Sequence, residues 1–321
     1  MQIVQKWLAG VAAVVVVVTL FSGVARAEKK IGILVWSEES RYTDAQKGIM
    51  EQLKKGGFGE PNVKFTVENA GGNKAKAAEL ARKFAAAKMD MVVVLGTSAA
   101  VFVAKEIKDA PVVFSLVYDP IGAKIAEDWK SSGNNTTGAS NKVSMSQLVA
   151  TLKRLAPVKR LAVLYTPGEK NSEIQLKELQ AVQEDFQVKM VPVSLTGNEE
   201  VAQIIPEVVG TVDAMYLSGS NVVAEMAASI ANMATKAKVI TVTHLDDLVY
   251  KGVLLGVYAD PVAVGRLAGE KAVKVLKGAK PSSIPIEPLK KLEVIVNRKT
   301  AKAGGFQIPP AFMQSVTKTI D

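Results

Sequence analysis

Cysteine is absent from all 321 residues. That excludes disulfides, thiolate metal sites, a thiol nucleophile and lipid attachment through an amino-terminal cysteine. Histidine occurs once, as His244, so neither a His-rich metal centre nor a Cys–His pair can be built. The chain also lacks a Gly-rich dinucleotide fingerprint, a phosphate loop ending in Gly-Lys-Ser/Thr and a Gly-x-Ser-x-Gly nucleophile elbow. The expectation is a protein that is not an enzyme and carries no cofactor and no metal. Aromatic residues make up only 6% of the chain, so their positions are informative.

Charge of one sign is scarce in one region: Lys6 is the only charged residue before the apolar stretch 7–24, which Ala25-Arg26-Ala27 follows. This has the form of a signal peptide cleaved after Ala27, with a mature chain starting at Glu28 in the periplasm. The competing expectation is a retained membrane anchor, because 7–24 borders on spanning length. Gly10, Ser22 and Gly23 interrupt the run and favour cleavage. The formal charge is +9, and removal of Lys6 and Arg26 leaves +7. Basic residues alternate with acids, and no arginine cluster is interleaved with aromatics, so nucleic acid is not an expected partner. A solvated basic surface accounts for the charge and favours anionic ligands.

What the chain does contain is a 48% hydrophobic composition, enough for more than one core. Its organising stretch is Asp90-Met91-Val92-Val93-Val94-Leu95-Gly96-Thr97-Ser98. Five consecutive apolar residues read as a strand buried on both faces, as in parallel sheets covered by helices. Helix-competent sequence follows, so Thr97 or Ser98 is expected to cap a helix at the carboxyl end of that strand. Free N–H groups, two hydroxyls and a helix dipole would make an anion site there. Asp213-Ala214-Met215-Tyr216-Leu217-Ser218-Gly219-Ser220-Asn221 repeats the pattern. Two further strand pairs, 31–34 with 161–164 and 110–114 with 237–241, keep nearly the same offset. Three units in one order imply two similar lobes.

Strands are expected at 31–36, 63–68, 91–95 and 112–116, alternating with helices at 43–55, 74–87 and 99–107. The polar segment 131–138 reads as a loop marking a boundary. A second run places strands at 160–165, 188–193, 214–217, 239–243 and 253–258, with helices at 144–155, 172–185, 199–208 and 222–236. A helix at 262–277, a Pro-rich connector and a strand at 292–296 complete the chain. The fold class is α/β: two doubly wound parallel-sheet lobes joined by a multi-strand hinge. One lobe comprises 28–140 and 261–283, the other 141–260 and 284–321.

Strand-tip positions supply the candidate ligand-binding residues: Trp36, Ser37 and Tyr42; Gly96, Thr97 and Ser98; Tyr118, Asp119 and Asn141; Ser218, Ser220, Asn221 and His244. Aromatic faces with a few polar groups make a small-molecule site, while packing is an equal reading for each single aromatic. His244 follows a strand and reads equally as a ligand contact or as a loop histidine paired with Asp246 or Asp247. The two adjacent aspartates read as acids at a helix amino terminus rather than as paired catalytic carboxylates.

Ile31-Gly32-Ile33-Leu34, Gly96-Thr97-Ser98-Ala99-Ala100, Pro111 to Ser115 followed by Asp119-Pro120-Ile121-Gly122-Ala123, Asn135 to Ser140, Arg160 to Tyr165, Gly265-Arg266 and Leu276-Lys277-Gly278 occur in this order over nearly the whole mature length. In that order they resemble the ABC-transporter substrate-binding proteins with a type I periplasmic-binding fold, whose members include binders of tryptophan and phenylalanine. The resemblance implies export, a monomeric two-lobed clamshell with three crossovers, and delivery of a small solute to a membrane permease. A periplasmic sensory module signalling to a membrane receptor is the alternative. Members of the family often carry acids suited to a ligand ammonium where this chain has Asn141, Ser220 and Leu245. The expected ligand therefore has an anionic or polar end at Thr97 and Ser98 and an apolar or aromatic body against Trp36, Tyr42 and Tyr118.

Overall fold

The computed structural model describes residues 28–321; the expected signal segment and its cleavage site lie outside them. In chain order the first run is β1 (Lys29–Val35), α1 (Ser40–Lys55), β2 (Val63–Asn69), α2 (Lys74–Ala86), β3 (Met91–Leu95), α3 (Thr97–Glu106), β4 (Val112–Val117) and β5 (Thr136–Ser140). The second run is α4 (Met145–Leu155), β6 (Arg160–Tyr165), α5 (Lys170–Ala181), α6 (Gln183–Phe186), β7 (Lys189–Ser194), α7 (Asn198–Val209) and β8 (Ala214–Leu217), then α8 (Asn221–Glu225), α9 (Ala227–Lys236), β9 (Ile240–Thr243), α10 (Asp246–Tyr250) and β10 (Leu255–Tyr258). The tail holds α11 (Pro261–Leu276), β11 (Glu287–Pro288), β12 (Glu293–Asn297), α12 (Arg298–Gly304), α13 (Pro310–Met313) and β13 (Lys318–Ile320).

Two sheets result, in the orders β11-β5-β4-β3-β1-β2 and β13-β12-β10-β9-β8-β6-β7. The core order β2-β1-β3-β4-β5 of the first recurs in the second as β7-β6-β8-β9-β10, so the sequence duplication is a structural one. Both are open doubly wound sheets, in which the strand order reverses beside β1 and beside β6 and ligand crevices form at the carboxyl ends. The central strands explain their own burial: all five residues of β3 are buried between β1 and β4 with helices on both faces. The edge strand β2 is only partly buried. β12 runs antiparallel to β10, and β13 pairs parallel with β12 at the edge of the second sheet.

The chain passes between the sheets three times: after β5, after β10 and after β11. Helix α11 packs on the first lobe, and its Val264, Ala268 and Ala272 join that core together with Ile284 and Ile286. Its contact with α1 is very close, because a Cβ built on Gly265 would lie 2.0 Å from the Ala45 carbonyl oxygen and one on Gly48 2.2 Å from that of Val262. The second sheet is covered by separate clusters on its two faces.

Two local expectations are corrected. The segment expected to end as a polar loop at 138 instead enters β5, fully buried across Thr136–Ser140. Its hydroxyls replace the missing apolar signal: Thr137 Oγ1 donates to the Ile284 carbonyl (2.9 Å) and Ser140 Oγ to that of Tyr118 (2.7 Å). At α3 neither Thr97 nor Ser98 is the cap. Gly96 holds that position at φ 97°, and Thr97 is already the first helical residue.

Candidate functional site

The carboxyl ends of the two sheets face one another, and residues from both enclose an inner cavity. It is lined by Arg41, Tyr42, Thr97, Leu116 and Tyr118 of the first lobe, by Asn141 at the crossing after β5, and by Asn171, Gln175, Gly219, His244 and Leu245 of the second lobe. A water-sized sphere can be centred in only about 20 Å³ of it, room for about one water. A metabolite can therefore enter only if the lobes separate. A larger outer groove of about 720 Å³ runs along the lip, lined by Ser37, Glu38, Glu39, Asn221, Glu225, Asp247 and Tyr250 among others.

Arg41 and Asp247 stand between the two spaces. Arg41 in the first turn of α1 donates from Nη1 to Asp247 Oδ2 in the first turn of α10 at 2.5 Å, and both side chains are buried. The lobes are thus tied by an ion pair whose arginine faces the cavity and whose aspartate faces the groove. Burial disfavours charge on Arg41, but Asp247, Tyr42 and Glu39 outweigh it and hold its pKa above the usual arginine value. The guanidinium also lies 4.7 Å from the centre of the Tyr42 ring. A second ionic link crosses beside the hinge. Lys142 reaches Asp119 and Glu178 at 2.5 Å each, and Tyr118 Oη donates to Glu178 at 2.6 Å. After counting its own burial, those bonds lower the pKa of Asp119 and raise that of Lys142.

His244 sits in a network whose proton positions are determined. Gln175 Oε1 accepts from the Gly219 N–H (3.0 Å), so the Gln175 amide nitrogen is the atom that faces His244 Nε2 (3.3 Å). His244 Nε2 must then accept, which leaves the proton on Nδ1, donated to Tyr216 Oη at 2.7 Å. Tyr216 in turn donates to Gln175 Oε1 at 3.2 Å. Burial, and after it the charge of Arg41, pushes the His244 pKa down to about 3. The imidazole is therefore neutral, with no aspartate partner, which corrects one of the two readings made from the sequence. Tyr118 packs edge-on to it at 5.3 Å.

Of the sequence candidates, Tyr42, Thr97, Tyr118, Asn141 and His244 come together around the inner cavity. Ser37 and Asn221 line the outer groove. Trp36 is buried in the first core, and Gly96 forms the turn beside it, where a Cβ would meet Trp36 and Tyr42 at 3.0 Å. Ser98 is half-buried in the first turn of α3 and outside the cavity lining. Asp119 is engaged by Lys142, while Ser218 and Ser220 are buried; Ser220 caps α8 and shares a 2.7 Å bond with Thr166. Thr97 Oγ1 accepts from the Tyr118 N–H at 3.0 Å, which leaves its hydroxyl proton available to the cavity.

Arg41, Asn171, Gln175 and Leu116 went unread in the sequence. Arg41 and Asn171 lie in the first turns of the helices after β1 and β6, the same station as Thr97 after β3, so the rule that selected Thr97 would also have found them. Leu116 had no such signal. It adopts φ 55° where the β4–β5 register shifts, and the bulge turns the strand end toward the cleft.

Four buried side-chain atoms of the described residues are without partners: Ser115 Oγ inside β4, and Asn141 Oδ1, Asn171 Oδ1 and Asp247 Oδ1. The last three belong to residues that line the inner cavity or the outer groove, although buried polar groups generally find partners.

Residues 30–320 match the family model for ABC transporter substrate binding proteins. The chain belongs to that family. Its members are substrate-binding proteins, not enzymes. A tyrosine-binding protein of Clostridioides difficile (strain R20291) is 28% identical over 281 residues, covering 87% of this chain and 81% of that protein. A Streptococcus pneumonia ABC domain in complex with L-Trp superposes with a TM-score of 0.87 at 29% identity, over 92% of this chain and all of the other. The ligand-free, open structure of a Clostridium difficile substrate binding protein with adhesive properties gives 0.73, also at 29% identity, over 91% of this chain and 99% of that one.

Proposed function

We propose that this family member is an exported solute-binding protein which captures a small metabolite between its lobes and delivers it to an ABC-transporter permease. One lobe is built on residues 28–140 and the early tail, the other on 141–260 and the rest. The carrying observation is a cavity lined from both lobes in which buried amide oxygens have no partner. A ligand that satisfies them makes differential contacts with the closed state and shifts the population toward it. The ligand places an anionic or polar end near Thr97 at the amino terminus of α3, and an apolar or aromatic body against Tyr42 and Tyr118. Trp36 is buried beside Tyr42 at the Gly96 turn.

Equal sequence identity but a higher TM-score to the L-Trp complex than to the open relative supports reading the present lobe angle as the shut end of the range. A bound solute then holds the lobes far enough apart to widen the inner cavity beyond its one-water volume. No helix among the described residues is long and apolar enough to cross a membrane. Export through cleavage after Ala27 is tested by amino-terminal sequencing of the mature protein. Solute capture is tested by thermal shift over a metabolite panel. A ligand at about a hundred times its dissociation constant should add roughly 2.7 kcal/mol to stability, and a panel that moves the melting temperature nowhere would reject the reading.

A further inference from the structure

The inner cavity has one charged residue in its lining, and that residue is a cation, Arg41. The nearby acids are already committed. Asp247 lines the outer groove, not the inner cavity, and its Oδ2 holds Arg41, while Asp119 and Glu178 hold Lys142. His244 is neutral, and the positive end of α3 opens on the same side. What the cavity offers instead is two amide oxygens, Asn141 Oδ1 from the end of β5 and Asn171 Oδ1 from α5. The Asn171 oxygen cannot be exchanged for nitrogen by a flip of the amide, because its nitrogen donates to the Gly219 carbonyl at 2.5 Å.

From this inventory we infer that the ligand is a small carboxylate whose second polar group is an uncharged donor, an α-hydroxyl or an amide N–H, rather than an ammonium. The inference rests on the solute-capture reading above and deepens it. A neutral donor satisfies an amide oxygen without bringing a charge out of water. An ammonium would have to be desolvated beside a guanidinium and a helix amino terminus, with no free carboxylate in the lining. Asn141 stands where the chain leaves β5 for the second lobe and Asn171 in the first turn of that lobe's α5, while Arg41 and Thr97 come from the first lobe, so a ligand that reaches both sets of groups ties recognition to closure. The relatives described as tyrosine-binding and as holding L-Trp carry an ammonium on their ligands, so this chain would have parted from them at this one group.

The test is calorimetry of the mature chain against matched pairs that differ only in that group: phenyllactate and phenylalanine, indole-3-lactate and tryptophan, malate and aspartate. The expected result is tighter binding of at least one hydroxy acid than of its amino counterpart, by about tenfold or more. Asn171→Asp, which puts a carboxylate where the amide oxygen stands, should narrow or reverse that ratio, and Asn141→Asp gives a second, independent reading should the first variant fold poorly. An amino acid bound as tightly as its hydroxy partner by the wild-type chain overturns the inference. So does a panel in which only sugars or other uncharged solutes bind, although solute capture itself would then stand. Absence of binding by every solute would reject both.

Discussion

His244 shows at the scale of one residue how burial turns a titratable group into a fixed dipole. In the unfolded chain a histidine titrates near about 6.5, whereas in the folded chain burial first, and Arg41 second, keep it neutral down to about pH 3. Below about pH 6.5 the unfolded chain takes up a proton that the folded chain refuses, so this group makes stability fall as pH falls. Asp246 works the other way. Burial, followed by the charge of Asp247, raises its pKa to about 7, so between about 4 and 7 the folded chain holds a proton that the unfolded chain has lost, and stability falls as pH rises. The two slopes oppose each other in the wild-type profile. Their separation lies in a variant: His244→Gln should be less stable than wild type near neutrality, with the deficit shrinking as urea melts are moved from pH 7 toward pH 5. A deficit independent of pH would show that His244 does not stay neutral in the fold.

At the scale of elements, the crossing of α1 and α11 depends on two facing glycines. Alanine is the better helix former by about 1 kcal/mol, but at Gly265 its methyl would fall 2.0 Å from a backbone carbonyl of the neighbouring helix. Backbone cannot swing aside as a side-chain tip can, so sterics win. Gly265→Ala is expected to destabilise by about 2 kcal/mol or more in chemical denaturation. Gly210, which ends α7, is the contrasting case, with φ −77° and no atom nearer than 4.0 Å to its added Cβ. Gly210→Ala should leave stability unchanged or raise it by up to about 1 kcal/mol through the unfolded state. Equal effects at the two sites would contradict the close approach of α1 and α11.

For the whole molecule, the buried Arg41–Asp247 pair is the link that a change of lobe angle must break. Removing one partner of such a pair leaves a buried charge and typically costs about 3–5 kcal/mol. Opening the cleft lets water reach that charge, so the lobes, rather than the cores, should respond. Asp247→Asn is expected to enlarge the radius of gyration measured by solution scattering while far-ultraviolet circular dichroism stays native. Removing both charges, in Arg41→Met with Asp247→Leu, should recover much of the compactness. An unchanged radius in the single variant would mean that contacts elsewhere hold the lobes together.

Local sequence determined the elements whose physics is local. The apolar runs of β3, β6 and β8 are buried on both faces and are read residue for residue, and the near-constant spacing of the repeated units discloses two similar sheets. The strand-tip rule reached Thr97, Tyr118, Asn141 and His244 for the same reason, since the carboxyl end of a buried strand is legible from where its apolar run stops. Tertiary structure alone decided the rest. β5 is a strand because its hydroxyls find carbonyl partners on distant segments, and Tyr118, although it follows a first-lobe strand, packs into the second-lobe core. Arg41 meets Asp247 across 206 positions of chain. Whether a carboxylate is free for a ligand or already taken by an arginine depends on which loops the two lobes bring face to face, and no periodicity in the sequence encodes that.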